Sequence, residues 1–271
     1  MKKSTKVWLF FILSSIGIIF AGYYFGERLG LFLGFLFAVL FHFSLYFWGD
    51  VQILNQYSHR RQLGPDPYQF FQTINRYGSH LNPLIYILET EECVVLSIPF
   101  AYRRPVLAIS EWILLKLSVQ EREALYKLMI SRLEIDHRVL PLAVNQIANI
   151  FVTLGDRLDS INPIRFIFAA KIPFFKPLFR FVAFLFLKTA HRKDLFAAVD
   201  QKALTFDSSP LITAQVIDKL QALSQSRPAR LDLMIRHLFL VDPEFSSRLS
   251  FSSFHMPTEK RIINLLGFYP L

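Results

Sequence analysis

The chain has 271 residues, enough for one or two domains, and 53% of them are hydrophobic, with 29 phenylalanines and a mean hydropathy of +0.35. The single cysteine, Cys93, excludes an internal disulfide and any multi-cysteine metal site, and it reads as a buried thiol. A net charge of +9 admits nucleic acid, an anionic lipid surface or the positive-inside bias of a membrane protein. The basic residues cluster beside apolar runs and no nucleic-acid-binding motif accompanies them, so the membrane is the expected partner and nucleic acid is not.

Residues 7–26 and 29–49 are two uncharged runs separated by Glu27 and Arg28. Each is long enough to cross a bilayer core of about 30 Å as a helix. The first run has the basic start of a secretory signal peptide but no small-x-small cleavage site, and a second run follows at once, so a retained transmembrane helical hairpin is expected. Lys2, Lys3 and Lys6 precede the pair and His59, Arg60 and Arg61 follow it, which places both ends on the cytoplasmic side. His42, inside the second run, has no other titratable group there to relay a proton to and reads as a hydrogen-bonding residue between helices.

From Asp50 the composition becomes that of a soluble domain. Residues 68–77 read as an amphipathic helix with Phe70, Phe71 and Ile74 on one side, broken by Asn82–Pro83. Residues 84–88, 94–98 and 106–109 are short strand candidates, with 102–105 as the turn between the last two. Residues 117–136 form a strongly marked helix. Ser118 stands at the N-cap with Glu121 three residues on, which is capping-box spacing. Leu125, Leu128, Met129 and Leu133 then make one apolar stripe. Arg132 falls on that stripe, and a buried guanidinium requires a carboxylate or carbonyls to meet it.

Residues 139–155 are uncharged and read either as a third transmembrane helix or as a buried one. Residues 164–188 are rich in phenylalanine, carry Arg165, Lys171, Lys176 and Arg180, and are interrupted by Pro173 and Pro177. They fit an interfacial or re-entrant segment, with the cations snorkelling to headgroups, as well as they fit a core helix. Residues 190–223 read as two helices parted near 207–210, with Ser209 and Pro210 opening the second. A polar connector at 224–230, an apolar run at 231–240 and a last short helix ending near Leu266–Gly267 complete the chain. No Walker loop, G-x-S-x-G or G-x-G-x-x-G occurs, and no Ser-His-Asp or Cys-His arrangement has usable spacing.

This order of elements resembles that of the HtpX-type membrane zinc metallopeptidases. Residues 83–87, P-L-I-Y-I, resemble the family's P-x-V-Y-V strand, and S-E-W-I-L at 110–114 sits where the family has T-x-G-L-L. Residues 117–123 resemble the L-x-x-x-E-L-E that opens its active-site helix, and H-M-P-T-E-K-R-I at 255–262 resembles its H-P-P-T-E-E-R-I signature. The resemblance implies an α+β, mostly helical fold: an N-terminal transmembrane hairpin and a zincin-like cytoplasmic domain with a small sheet. It divides the chain into the hairpin (1–50), an α+β part that includes the former active-site helix (51–137), apolar membrane or interface segments (138–189) and a helical C-terminal part (190–271). It also implies a multi-pass protein of the bacterial inner membrane with both termini cytoplasmic.

The departures fall where the family's chemistry lies. Its H-E-x-x-H puts two zinc-binding imidazoles and a water-activating Glu on one helix face. At those positions stand Leu128, Met129 and Arg132. The third ligand, the Glu of R-E-x-x-A-D, is replaced by Phe196, while Asp200 matches that motif's Asp. The substrate-binding N-A-F-A edge reads Val94, Val95, Leu96 and Ser97, a candidate peptide-binding edge strand. Leucine and phenylalanine offer no lone pair, and arginine is a fixed cation that repels a metal. The expectation is therefore a catalytically inactive HtpX-like protein with no metal and no cofactor. It would serve as a scaffold, binding subunit or regulator, with membrane lipid and another membrane protein as partners. Arg132 is expected to pair with Asp200, or failing that with Glu134 or backbone carbonyls. The rival expectation is a metalloendopeptidase whose ligands have moved to Asp136, His137, His191 and Asp194.

Overall fold

A computed structural model describes residues 3–47, 60–62, 76–77, 80–99, 104–135, 140–161, 175–190, 194–229, 238–241 and 255–268. The chain divides into two compact units, Met1–Leu54 with Val139–Ala190, and Asn55–Arg138 with His191–Leu271. Each is assembled from two stretches distant in sequence.

In the first unit, α1 (Lys3–Phe47) contains a stretch, Ile12–Phe41, that is long and apolar enough to cross a membrane. The helix breaks at Gly26 and Glu27, the latter at φ 48° and ψ −126°. A Cβ on Gly30 would stand 1.9 Å from the Gly22 carbonyl oxygen, and one on Gly34 would stand 3.0 Å from that of Ile18. Residues eight apart on an unbroken helix are separated by about 12 Å, so the chain turns back at Glu27 and its two arms lie side by side. Gly30, Gly34 and Ala38, four apart, form the buried stripe of the second arm, while Phe32, Phe35, Phe37 and Leu40 on its other faces are exposed. Small residues let the backbones meet, as in helix pairs packed within lipid.

The same unit contains α4 (Leu140–Ile161), which packs on α1 and on α5 (Phe175–Ala190). The Asp159 carboxylate accepts the Phe175 and Lys176 backbone N–H groups at 2.9 and 2.8 Å. These N–H groups at the positive end of α5 have no carbonyl within their own helix, and a carboxylate from the neighbouring helix accepts both. Lys176 returns to Asp156 at 3.0 Å, and Phe179 lies against Gly155 and Phe151.

The second unit is built on a mixed sheet. The strands expected at 84–88, 94–98 and 106–109 appear as β2 (Leu84–Leu88), β3 (Val95–Ile98) and β4 (Val106–Ser110). A short β1 (Arg60–Gln62) adds to one edge, giving the order β1-β2-β4-β3. β2 runs parallel to β4 with Leu84 opposite Val106, and β3 runs antiparallel to β4 with Val95 opposite Ile109. After β4 the chain enters α2 (Glu111–Lys116) and then α3 (Val119–Ile135). The capping box forms at α3: Ser118 N–H donates to Glu121 Oε2 at 2.7 Å, and Glu121 N–H donates to Ser118 Oγ at 3.3 Å. α6 (Leu195–Leu204), α7 (Pro210–Ser226) and α8 (Thr258–Leu266) follow. Gly267 closes α8 at φ 79°, a conformation glycine adopts without strain.

α3 is the centre of this core and packs against β3, α6 and α7. The sequence suggests one buried stripe, but all ten positions from Ala124 to Leu133 are buried. Surrounded on several sides, the helix has to satisfy its polar positions locally. Lys127 pairs with Glu123 at 2.8 Å and lies 5.0 Å over the Tyr77 ring, and Ser131 donates to the Lys127 carbonyl at 2.7 Å. Cys93 is buried as expected, and burial pushes its thiol up to about 12. Of the helix expected at 68–77, only Arg76 and Tyr77 are among the described residues, and the His42 side chain and residues 102–103 of the expected turn also lie outside them.

Candidate functional site

Five side chains from two helices converge where the sequence pointed. α3 presents Leu128, Met129 and Arg132, and α6 presents Phe196 and, one turn later, Asp200. Leu128 and Met129 are wholly buried, and Phe196 and Arg132 are each 1% exposed. The space is filled by packed side chains. The Arg132 guanidinium carbon stands 5.1 Å from the Phe196 ring centroid, and that of Arg261, from α8, stands 5.2 Å from it. His255 packs on the same ring with centroids 4.7 Å apart. A desolvated cation over an aromatic face contributes about 2 kcal/mol, so Phe196 serves as a shared platform for two cations.

The expected pairing of Arg132 with Asp200 is corrected by the geometry. Asp200 is held by Arg261, whose Nε donates to Oδ2 at 2.8 Å and whose Nη2 donates to Oδ1 at 2.5 Å. Both side chains are almost fully buried, at 2% and 3% exposed. Asp200 lies one turn beyond Phe196, so a single guanidinium from α8 covers the ring and reaches both carboxylate oxygens. Arg132 meets a backbone carbonyl instead: its Nη1 donates to the Phe239 oxygen. His255 Nε2 donates to the same oxygen at 3.0 Å, and Arg261 Nη1 donates to the Leu240 oxygen at 2.8 Å. Glu134, the other carboxylate expected near Arg132, pairs with Lys202 at 2.9 Å and approaches His80 at 3.3 Å.

The candidate peptide-binding edge is likewise corrected. Val94, Val95, Leu96 and Ser97 are at most 1% exposed. The outer side of β3 is taken by the chain's own residues 238–241, with Leu96 bridged antiparallel to Phe239 and Leu240 N–H donating to the Val95 carbonyl at 3.1 Å. Four consecutive apolar residues at 238–241 provide a backbone that can add to a strand edge while burying its side chains.

Neither a protein-family model, nor a curated protein, nor a solved structure matches this chain.

The zinc that the resemblance implies does not fit these residues. Zinc needs three donor ligands and an open fourth position, and here the corresponding positions hold leucine, methionine, phenylalanine and a guanidinium. A second guanidinium, from Arg261, stands 5.2 Å from the ring that replaces the third ligand, which adds repulsion to the lack of donors. Of the residues considered for a relocated site, Asp194 is exposed at the start of α6, and Asp136, His137 and His191 lie outside the described residues. Among the described residues, no three of His, Cys, Asp and Glu converge as a metal site would require. Sequence reasoning missed Arg261 and His255 as members of the cluster. Their signal was present in H-M-P-T-E-K-R-I at 255–262, where an arginine on a short helix is the other cation able to answer Asp200.

Proposed function

We propose that this chain is a catalytically inactive, HtpX-like membrane protein: a pseudopeptidase that acts as a scaffold, binding subunit or regulator within a membrane complex. One observation carries the reading. The ring of Phe196 bears two guanidinium groups at 5.1 and 5.2 Å, at the place where the resemblance calls for zinc ligands. An inward-facing cation pair locked to a carboxylate and two backbone carbonyls is a structural nucleus. Among the described residues its carboxylate is taken up by Arg261 and its imidazole by the Phe239 carbonyl.

In this reading the domain that contains the sheet is a zincin-like fold on the cytoplasmic side. The two arms of α1 are the crossings of a transmembrane hairpin, consistent with the exposed Phe20, Phe25, Phe32 and Phe37 and with the basic residues at either end. α4 and α5 accompany them in the membrane or at its surface, with Leu178, Phe181 and Leu185 facing outward toward lipid or a membrane partner. The setting is a bacterial inner membrane, with both termini cytoplasmic.

Full-length protein purified in mild detergent tests the reading. Elemental analysis is expected to find zinc far below one per chain, casein is expected to survive incubation, and a membrane protein is expected to co-purify. Chelator-sensitive proteolysis lost on changing His137 or His191 to Ala would overturn the proposal in favour of a metalloendopeptidase with relocated ligands.

A further inference from the structure

α4 and α5 lie antiparallel, with Gly155 against Phe179, Asp156 paired with Lys176 and Asp159 accepting the first N–H groups of α5. Ala148, Val152, Ala183 and Leu187 are buried between or beside them, and the outward faces are apolar. Leu178, Phe181 and Leu185, three and four apart on α5, are 51%, 58% and 44% exposed, and Ile150 and Leu154 on α4 are each 42% exposed. Arg157, three residues beyond Leu154, and Arg180, next to Phe181, are exposed cations. An apolar stripe with a cationic margin fits the boundary between headgroups and acyl chains in an anionic leaflet.

The pair lacks the length of a crossing. α5 has 16 residues, about 24 Å of helix, against a hydrocarbon core of about 30 Å. Lys176 and Arg180 stand in its first two turns, and from Arg157 to Arg192 the longest run without a charged residue is 181–187. Charge excludes a crossing independently. Arg138 precedes α4 and Arg192 and Lys193 follow α5, while Arg157, Arg165, Lys171, Lys176 and Arg180 surround the connection. A crossing pair would carry that second group of cations to the far side, against the bias that keeps positive residues inside. We propose that α4 and α5 form a hairpin that lies along the cytoplasmic leaflet without crossing it. Leu178, Phe181 and Leu185 dip among the acyl chains, and Arg157 and Arg180 hold the phosphates of anionic phospholipid. The inference rests on the membrane reading given above and not on the loss of catalysis.

The test uses the full chain in two ways. Ser160→Cys puts a thiol on an exposed position at the end of α4, with Cys93 buried and shielded. In intact bacterial cells a membrane-impermeant maleimide is expected to leave it unlabelled, and in opened cells to label it. Labelling in intact cells, or none in opened cells, overturns the inference. Arg28→Cys, at the turn of α1, reports on the membrane reading separately: it is labelled in intact cells if the arms of α1 cross. If it is not, that reading falls and the lipid measurement decides the inference. There, Phe181→Cys carries a bimane fluorophore in phosphatidylcholine vesicles containing a rising fraction of brominated phosphatidylglycerol. With Arg157→Gln and Arg180→Gln added, the fraction that half-quenches the bimane is expected to rise about fivefold or more, and with lysine at both positions to return. Equal half-quenching fractions with arginine and with glutamine overturn the inference.

Discussion

Replacing Asp200 with alanine tests the cluster most directly. In the folded chain the Asp200 carboxylate takes two hydrogen bonds from Arg261, at 2.8 and 2.5 Å, with both side chains nearly inaccessible to water. Asp200→Ala leaves the guanidinium buried with the Leu240 carbonyl and the Phe196 ring as its remaining described partners. Removing one member of a buried pair costs about 3–5 kcal/mol, mainly because the surviving charge stays desolvated. For a unit of this class, a melting point moves about 2–4 °C per kcal/mol, so a fall of roughly 6–20 °C is expected. The double variant Asp200→Leu with Arg261→Met removes both charges. It is expected to recover most of that loss, remaining about 1–3 kcal/mol below the wild type because the Leu240 carbonyl then lacks its donor. Urea unfolding followed by tryptophan fluorescence in mild detergent, run as a double-mutant cycle, measures all three variants. A cost below about 1 kcal/mol for Asp200→Ala, or a double variant less stable than both single ones, would refute the assignment of Arg261 as the partner of Asp200.

Arg132→Met is expected to destabilise the fold by about 1–3 kcal/mol, since the Phe239 carbonyl loses a charged donor, and Arg132→Lys to recover part of this without the planar contact on Phe196; equal melting points for all three proteins would contradict the cluster. For Glu121, burial alone would raise the carboxyl, but the Ser118 backbone N–H, the Lys219 ammonium and the Ser118 hydroxyl outweigh it and hold it below its ordinary value. A lowered folded-state value stabilises the fold above the unfolded carboxylate range and ceases to do so as pH falls through it. Glu121→Gln is therefore expected to lower the urea midpoint at pH 7, with the gap closing below about pH 4.3; a gap unchanged at pH 3 would contradict this. Gly30→Leu places a side chain where a Cβ already stands 1.9 Å from the Gly22 carbonyl oxygen, and it should part the arms of α1 and lower the melting point of the helical circular-dichroism signal. Gly17→Leu, with nothing within 4 Å of its Cβ, is the control, expected to be neutral or up to about 1 kcal/mol stabilising.

Local chemistry was legible in the chain. The capping box at Ser118 and Glu121, the end of the last helix near Gly267, the break before Pro210 and the three strands of the sheet all depend on neighbours in sequence, and each appears within a residue or two of its expected place. The break at Gly26 and Glu27 is of the same kind, because a charged pair between two apolar runs interrupts both. The burial of Arg132 was also legible, since its position on the apolar stripe follows from helical period alone.

Its partner was not. Choosing between Arg132 and Arg261 for Asp200 depends on where α8 lies against α6, and Arg261 is 61 residues beyond Asp200 in the chain. The amphipathic reading of α3 failed for a related reason: period reports which face is apolar, and cannot report that further elements cover the remaining faces. The β3 edge shows the same limit. Val94 to Leu96 are a continuous apolar run whichever neighbour they have, and residues 238–241 are an apolar run with no strand period of their own. Sequence by itself determined that no zinc ligand stands at Leu128, Met129, Arg132 or Phe196, because side-chain chemistry decides that without coordinates. Tertiary structure alone decided what fills the space instead. Two cations share one phenylalanine ring there, Arg261 holding the carboxylate and the Leu240 carbonyl and Arg132 the Phe239 carbonyl, because burial obliges every charge to find a partner and packing determines which one is within reach.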